Sequence, residues 1–386
     1  MTLIYGYKIP SDRLELGTGV IVAGDTILTS RHIDEINLYQ ALGKTSQNQN
    51  LSPLTNSEDY VSYFTESACK IGRLNENVLI STCGSVELIY LLLQQFFLTP
   101  DRFKTCEGFS TTSLEGIFNS IQPIQNLEIL TTAEILFCIF DSGSVTFIDL
   151  RCIVDETNTL KHVVDFFSPS SHHPAWVKGS HHEKFVAFSR SLHENWKNLY
   201  SIGAIQQAHA LEISNLISDV TRNDARSGIG GAILTYLIDQ NGISPPQDTI
   251  YLHASRNDEL HALFKVSYRD GYFYVVDYIQ NRLIGFAPLE KQIQGIECKS
   301  QEYIDHIVKD VTEFNAKWLF LKREIPAQDK ENDTKFEIII KGNRGEPIFP
   351  GDTLRLIEKN LKKGRLHLSF NEGTNQKREF LFTIRS

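Results

Sequence analysis

Apolar residues recur in this chain with two different periods, and the switching between them constrains the fold more than any single motif. Over residues 106–121, Leu114, Ile117, Phe118 and Ile121 fall at the i, i+3, i+4, i+7 spacing that lays one helix face on a core. A second, strongly apolar helix is expected over 85–98. Further helices are expected over 57–72, 194–210, 232–239 and 301–314. Between them lie short strand-like stretches at 20–22, 26–28, 77–81, 127–131, 135–140, 213–220 and 249–253. Gly24-Asp25 reads as a tight turn joining the first two. Asp141 to Ile148 reads as a turn into another strand, and Asp270-Gly271 as the turn of a hairpin between 264–267 and 272–276. Strands and helices alternating in two similar halves imply a layered α/β protein. After Tyr278 the pattern changes. A charged linker (328–335), a strand (336–340), a basic helix (353–363) and two terminal strands imply an appended small α+β domain. The expected divisions are 1–150, 151–277 and 278–386.

Composition removes several functions. A net charge of −9 argues against nucleic acid as a partner. No run of about 18 apolar residues exists, and the start lacks a signal-peptide layout, so a cytoplasmic protein without a membrane partner is expected. The six cysteines show no CxxC or zinc-like spacing and read as free thiols. His172-His173 and His181-His182 read as a solvated loop, because adjacent histidines point in different directions; no metal site is expected.

Cys106 is the candidate nucleophile. A thiol at a helix N-terminus has its thiolate favoured by the peptide dipoles and by unpaired backbone N–H groups. Cys83 also precedes a helix, but an apolar one that suits a buried thiol. A thiolate of this kind needs a proton carrier and oxyanion donors. His193 and Asn223, each just before an expected helix, are the candidates.

Around these residues the chain resembles the thiolase-fold condensing enzymes, above all ketoacyl-acyl-carrier-protein synthase III. Thr105-Cys106-Glu107-Gly108-Phe109 is similar to the family's nucleophile motif, and Phe140-Asp141-Ser142-Gly143-Ser144-Val145 to its glycine turn. His193-Glu194-Asn195-Trp196 and Asn223 stand 30 residues apart, as the family's histidine and asparagine do. The resemblance implies a duplicated five-layered α-β-α-β-α core. It implies an acyltransferase that takes an acyl group from a coenzyme A or carrier-protein thioester onto Cys106. His193 and Asn223 would then stabilise the oxyanion while a second substrate accepts the group by condensation or transfer. It further implies substrate contacts at Phe109, Arg226 and Ser255, no permanently bound cofactor, and a homodimer or a pair with a homologous subunit.

The segment 253–259 holds no glycine where the family has its Gly-Phe-Gly-x-Gly loop. That departure suits a second reading, a non-catalytic thiolase-fold subunit that binds a partner. A third reading is an N-acetyltransferase of the GNAT type. The turn Ala225-Arg226-Ser227-Gly228-Ile229-Gly230-Gly231 is similar to that family's pyrophosphate-binding turn at a helix start, with Ala225 where the family has Arg or Gln.

Overall fold

The computed structural model describes residues 3–9, 19–30, 52–53, 63–66, 69–121, 131–170, 175–179, 183, 232–279, 281–296, 299–326, 334–342, 361, 363–372 and 376–384. The chain divides into two compact units. Met1–Pro245 with Phe286–Glu297 forms unit 1, and Pro246–Gly285 with Cys298–Ser386 forms unit 2.

In unit 1 the strands are β1 (Leu3–Ile9), β2 (Gly19–Asp25), β3 (Ile27–Ser30), β4 (Ser52–Pro53), β5 (Tyr63–Glu66), β6 (Ile71–Asn75) and β7 (Val78–Gly84). Two helices follow, α1 (Val86–Leu98) and α2 (Thr111–Ile121). Then come β8 (Thr132–Asp141), β9 (Ser144–Val154), β10 (Leu160–Phe167), β11 (Ala175–Gly179), β12 (Ile233–Asp239) and β13 (Gly242–Ser244). One sheet has the order β11-β1-β2-β12-β13 and a second the order β10-β9-β8-β7-β6. The two sheets pack face to face. Gly6 of β1 lies so close to Phe147 of β9 that a Cβ there would come within 2.9 Å of the ring. On its other face the second sheet carries α1 and α2. Leu88, Leu92, Phe96, Leu114 and Phe118 pack there on Ile80, Ile135, Phe137, Ile148 and Leu150. The period-two alternation of β7, β8 and β9 produces this arrangement, sending successive side chains to the helices and to the opposing sheet.

Unit 2 is built on an eight-stranded sheet. Its strands are β14 (Thr249–Ala254), β15 (Glu259–Arg269), β16 (Tyr272–Asp277), β17 (Arg282–Phe286), β18 (Trp318–Pro326), β19 (Thr334–Gly342), β20 (Arg365–Glu372) and β21 (Gln376–Ile384). The short helix α3 (Leu289–Gln294) belongs to unit 1, and α4 (Gln301–Thr312) to unit 2. In unit 2, Asp248 accepts two hydrogen bonds of 2.7 Å from Arg269, whose Nε donates to Asp310 on α4 at 2.6 Å.

These sheets correct the expected fold. A thiolase core joins parallel strands through helical crossovers. Here every described strand pair of unit 1 is antiparallel, so the five-layered α-β-α-β-α architecture and the condensing-enzyme resemblance both fall. Individual elements fare unevenly. The helix expected over 232–239 is strand β12, held between β2 and β13. Both its faces are buried, which removes the polar alternation that marks a strand. The helix expected over 57–72 is replaced by β5 and the start of β6. Gly24-Asp25 is no turn, because β2 runs through both residues. The hairpin turns at Ser142-Gly143 and Asp270-Gly271 do form, each with two consecutive residues at positive φ. Helices α1 and α2 also form, with Leu114, Ile117 and Phe118 buried as their spacing requires. The stretches expected as a helix over 194–210 and a strand over 213–220 lie outside the described residues.

Candidate functional site

Cys106 does not begin the α2 helix. It opens a separate four-residue 3₁₀ turn, Cys106–Phe109, and Ser110 takes extended backbone (φ −62°, ψ 154°) before α2 starts. The helix dipole is therefore aimed past the thiol. Gly108 is the reason for the tight turn. A Cβ there would lie 2.1 Å from the Arg102 carbonyl oxygen, in the preceding 3₁₀ turn Pro100–Phe103. Gly108→Ala is accordingly expected to cost at least about 2 kcal/mol of unit 1 stability, measured by urea unfolding. Phe109 is buried in a ring cluster, 5.1 Å from Phe103 and 4.7 Å from Phe137 between centroids.

The structure brings Cys106 and Phe109 together in one turn. Ser255 belongs to unit 2, where its hydroxyl accepts from the Asn257 and Glu259 N–H groups at 3.2 Å each and closes the β14–β15 turn. His193, Asn223, Arg226, Gly228 and Gly230 lie outside the described residues, as do His172, His173, His181 and His182. Among the described residues no group of three or more His, Cys, Asp or Glu side chains could hold a metal ion.

Cys106 still differs from the other described cysteines. It is half-buried, whereas Cys69, Cys83, Cys138 and Cys152 are buried. Burial raises the Cys69 and Cys138 thiols well above their usual range and pushes Cys152 up to about 12. Cys83 is raised first by burial and then by Glu134 beside it. At neutral pH a maleimide is therefore expected to modify Cys106 first among these five, and the other four only after unfolding, as peptide mapping would read.

The chemistry that sequence reasoning missed sits at one end of the unit 1 sandwich, where β1 begins and β2 and β11 end. Asp25, the last residue of β2, has a fully buried carboxylate. Its Oδ1 accepts from Lys70 Nζ at 2.7 Å and from the Leu3 backbone N–H at 2.9 Å. Lys70 lies just before β6, held there because Thr82 N–H donates to its carbonyl at 2.9 Å. Its side chain is only 6% exposed. Cys83 and Glu134 stand opposite each other across β7 and β8, and the thiol donates to Glu134 Oε2 at 3.3 Å. Lys70 lowers and Asp149 raises the Cys83 thiol, each by less than burial and Glu134 do. Asp149 of β9 is buried, and burial raises its carboxyl above the usual range; Lys178 of β11, 2.8 Å away, works in the opposite direction.

Burying this many charges between two sheets is expensive, so each must be matched by a partner of opposite sign. The sequence does carry a weak signal of the site. A lone lysine, Lys70, stands between Cys69 and Ile71, and a lone acid, Asp25, closes the apolar run 20–23. The helix expected over 57–72 gave Lys70 no role.

No protein-family model and no curated protein sequence matches the chain. Among solved structures it is similar to eukaryotic HslV from Trypanosoma brucei. That match has a TM-score of 0.32 and 15% identity, over 62% of this chain and 100% of the other. A match at this level decides neither fold nor function. Among the described residues no helix is long and apolar enough to cross a membrane.

Proposed function

We propose that unit 1 hydrolyses amide or ester bonds, with Lys70 as the proton carrier, Asp25 as its partner and the hydroxyl of Thr2 as the nucleophile. The observation that supports this is the buried Lys70–Asp25 pair, whose carboxylate also holds the N–H of Leu3. Thr2 adjoins Leu3 in the sequence, and its own placement lies outside the described residues. A hydroxyl becomes an effective nucleophile only when a neighbouring group takes its proton as the bond to the carbonyl carbon forms. A lysine amine suits that task when it is desolvated and fixed in place. In the proposed cycle Lys70 starts as the neutral amine: the hydroxyl oxygen adds to the carbonyl while its proton passes to the Lys70 lone pair, giving an ammonium that Asp25 stabilises. That ammonium gives the proton to the departing amine or alcohol as the bond to it breaks, and the amine then takes a proton from the water that adds to the ester on Thr2 and delivers it to the departing Thr2 oxygen.

Reaction with a β-lactone followed by peptide mapping tests the reading. Label on the peptide containing Thr2, absent in Lys70→Arg, is the expected result. Intact mass of the same sample shows whether Met1 is retained. An unlabelled Thr2 peptide together with no turnover across a panel of fluorogenic amides and esters would overturn it.

The half-exposed Cys106 favours a second reading, acyl transfer from a coenzyme A or carrier-protein thioester through that sulfur. Incubation with acyl thioesters distinguishes the two, because it would place the acyl group on the peptide containing Cys106 and leave Lys70→Arg fully competent.

A further inference from the structure

We propose that Gln292 and Glu290 of α3 position Lys70 opposite Asp25, an inference whose effect on turnover rests on the hydrolytic reading above. Lys70 is not placed by regular strand geometry. In a regular strand successive side chains point to opposite faces, so only one of Lys70 and Ile71 could meet β2. Here both do. A Cβ on Gly24 of β2 would lie 3.4 Å from the Lys70 Cβ and 3.0 Å from the Ile71 Cγ2. Strand β6 accordingly begins only at Ile71. The departure lets Lys70 reach Asp25, and it takes the neighbouring peptide groups out of the sheet's repeating bond pattern.

A buried peptide group displaced in this way needs another partner. The Lys70 carbonyl accepts the Thr82 N–H at 2.9 Å. The Cys69 carbonyl, on the peptide bond that carries the Lys70 nitrogen, accepts from Gln292 Nε2 at 3.0 Å. The same Nε2 donates to the Ala287 carbonyl at 2.6 Å, which fixes the orientation of the amide. Beyond Lys70, Glu290 Oε2 accepts the Arg73 N–H at 2.9 Å, and Glu290 Oε1 accepts from Arg73 Nε at 3.3 Å. Helix α3 thus grips the chain on both sides of the lysine. The grip is close, since a Cβ on Gly72 would come within 2.8 Å of the Leu289 Cβ. Leu289 is itself buried in the core that α1 and α2 share with the second sheet. In sequence, α3 comes between the two stretches that form unit 2, Pro246–Gly285 and Cys298–Ser386. The segment that joins those stretches is therefore the one that holds Lys70.

Acetylation of the full chain with an N-hydroxysuccinimide ester, mapped by peptides, tests the proposal. Gln292→Met keeps the bulk of the side chain but loses both N–H groups, so the Cys69 carbonyl loses its donor. Lys70, 6% exposed, is expected to resist the reagent in the wild type and to react at least about tenfold faster in the variant. Cys138 should stay closed to maleimide in both, which shows unit 1 still folded. Reaction of Thr2 with the β-lactone should slow by about 10–100-fold with no fall in the final labelled fraction, as misplacement of a reacting group requires. A purely structural role would lower that fraction and leave the rate. Should Gln292→Met fail to fold, Gln292→Leu is read in the same way. Lys70 equally protected in wild type and variant, or exposed while Thr2 labels at the wild-type rate, would overturn the proposal. A newly exposed Lys70 in a chain whose wild type never labels Thr2 would support the positioning and overturn only the hydrolytic reading.

Discussion

Lys70→Ala is expected to lower turnover of an amide or ester substrate by about 10²–10⁴-fold, the usual contribution of a positioned proton carrier. It should also destabilise unit 1 by about 3–5 kcal/mol. Removing the ammonium takes from the fully buried Asp25 carboxylate the positive charge that sits 2.7 Å from it. Because that cost could unfold the unit and remove activity for a trivial reason, Lys70→Arg is the decisive companion. Arginine keeps a positive charge for Asp25 but does not give up its proton in a protein, so it holds the fold and cannot carry the proton. The expected outcome is a variant with a near wild-type urea midpoint and no turnover. An active Lys70→Arg would assign the pair to folding specificity alone.

Phe96→Ala should have the largest effect on stability of any change far from that site. Its ring lies 4.9 Å from Phe103, 4.9 Å from Phe137 and 6.3 Å from Phe109 between centroids. It is completely buried between α1 and the second sheet. Truncation removes the transfer energy of the ring and leaves a cavity among aromatic neighbours that can collapse only in part. A loss of about 3–5 kcal/mol is expected. Leu98, two residues on, is 72% exposed, and Leu98→Ala should stay within about 0.5 kcal/mol. Urea unfolding of both variants checks the contrast. Equal midpoints would mean that α1 is not anchored through Phe96.

Helices α1 and α2 of unit 1 were legible because a helix with one buried face carries its own signature. Leu88, Leu92 and Phe96 in α1, and Leu114 and Phe118 in α2, recur at helical spacing whatever lies beneath them. The hairpin turns were legible for a related reason. A positive φ at two successive positions restricts which residues fit, and Ser142-Gly143 and Asp270-Gly271 satisfy that locally. Strand β12 was not legible. Whether its apolar run becomes strand or helix depends on β2 and β13 being there to take its hydrogen bonds.

The candidate site illustrates the same division. Motif reasoning finds residues that are close in sequence, and Cys106, Gly108 and Phe109 do share one turn. That turn serves a close approach to Arg102 and an aromatic core. Asp25, Lys70, Glu134, Asp149 and Lys178 come from five separate stretches, and no spacing rule connects them. By itself the sequence determined helices α1 and α2 and the two hairpin turns. Only the tertiary structure decided which charges meet, because a lysine and an aspartate 45 residues apart pair only where two sheets exclude water from both.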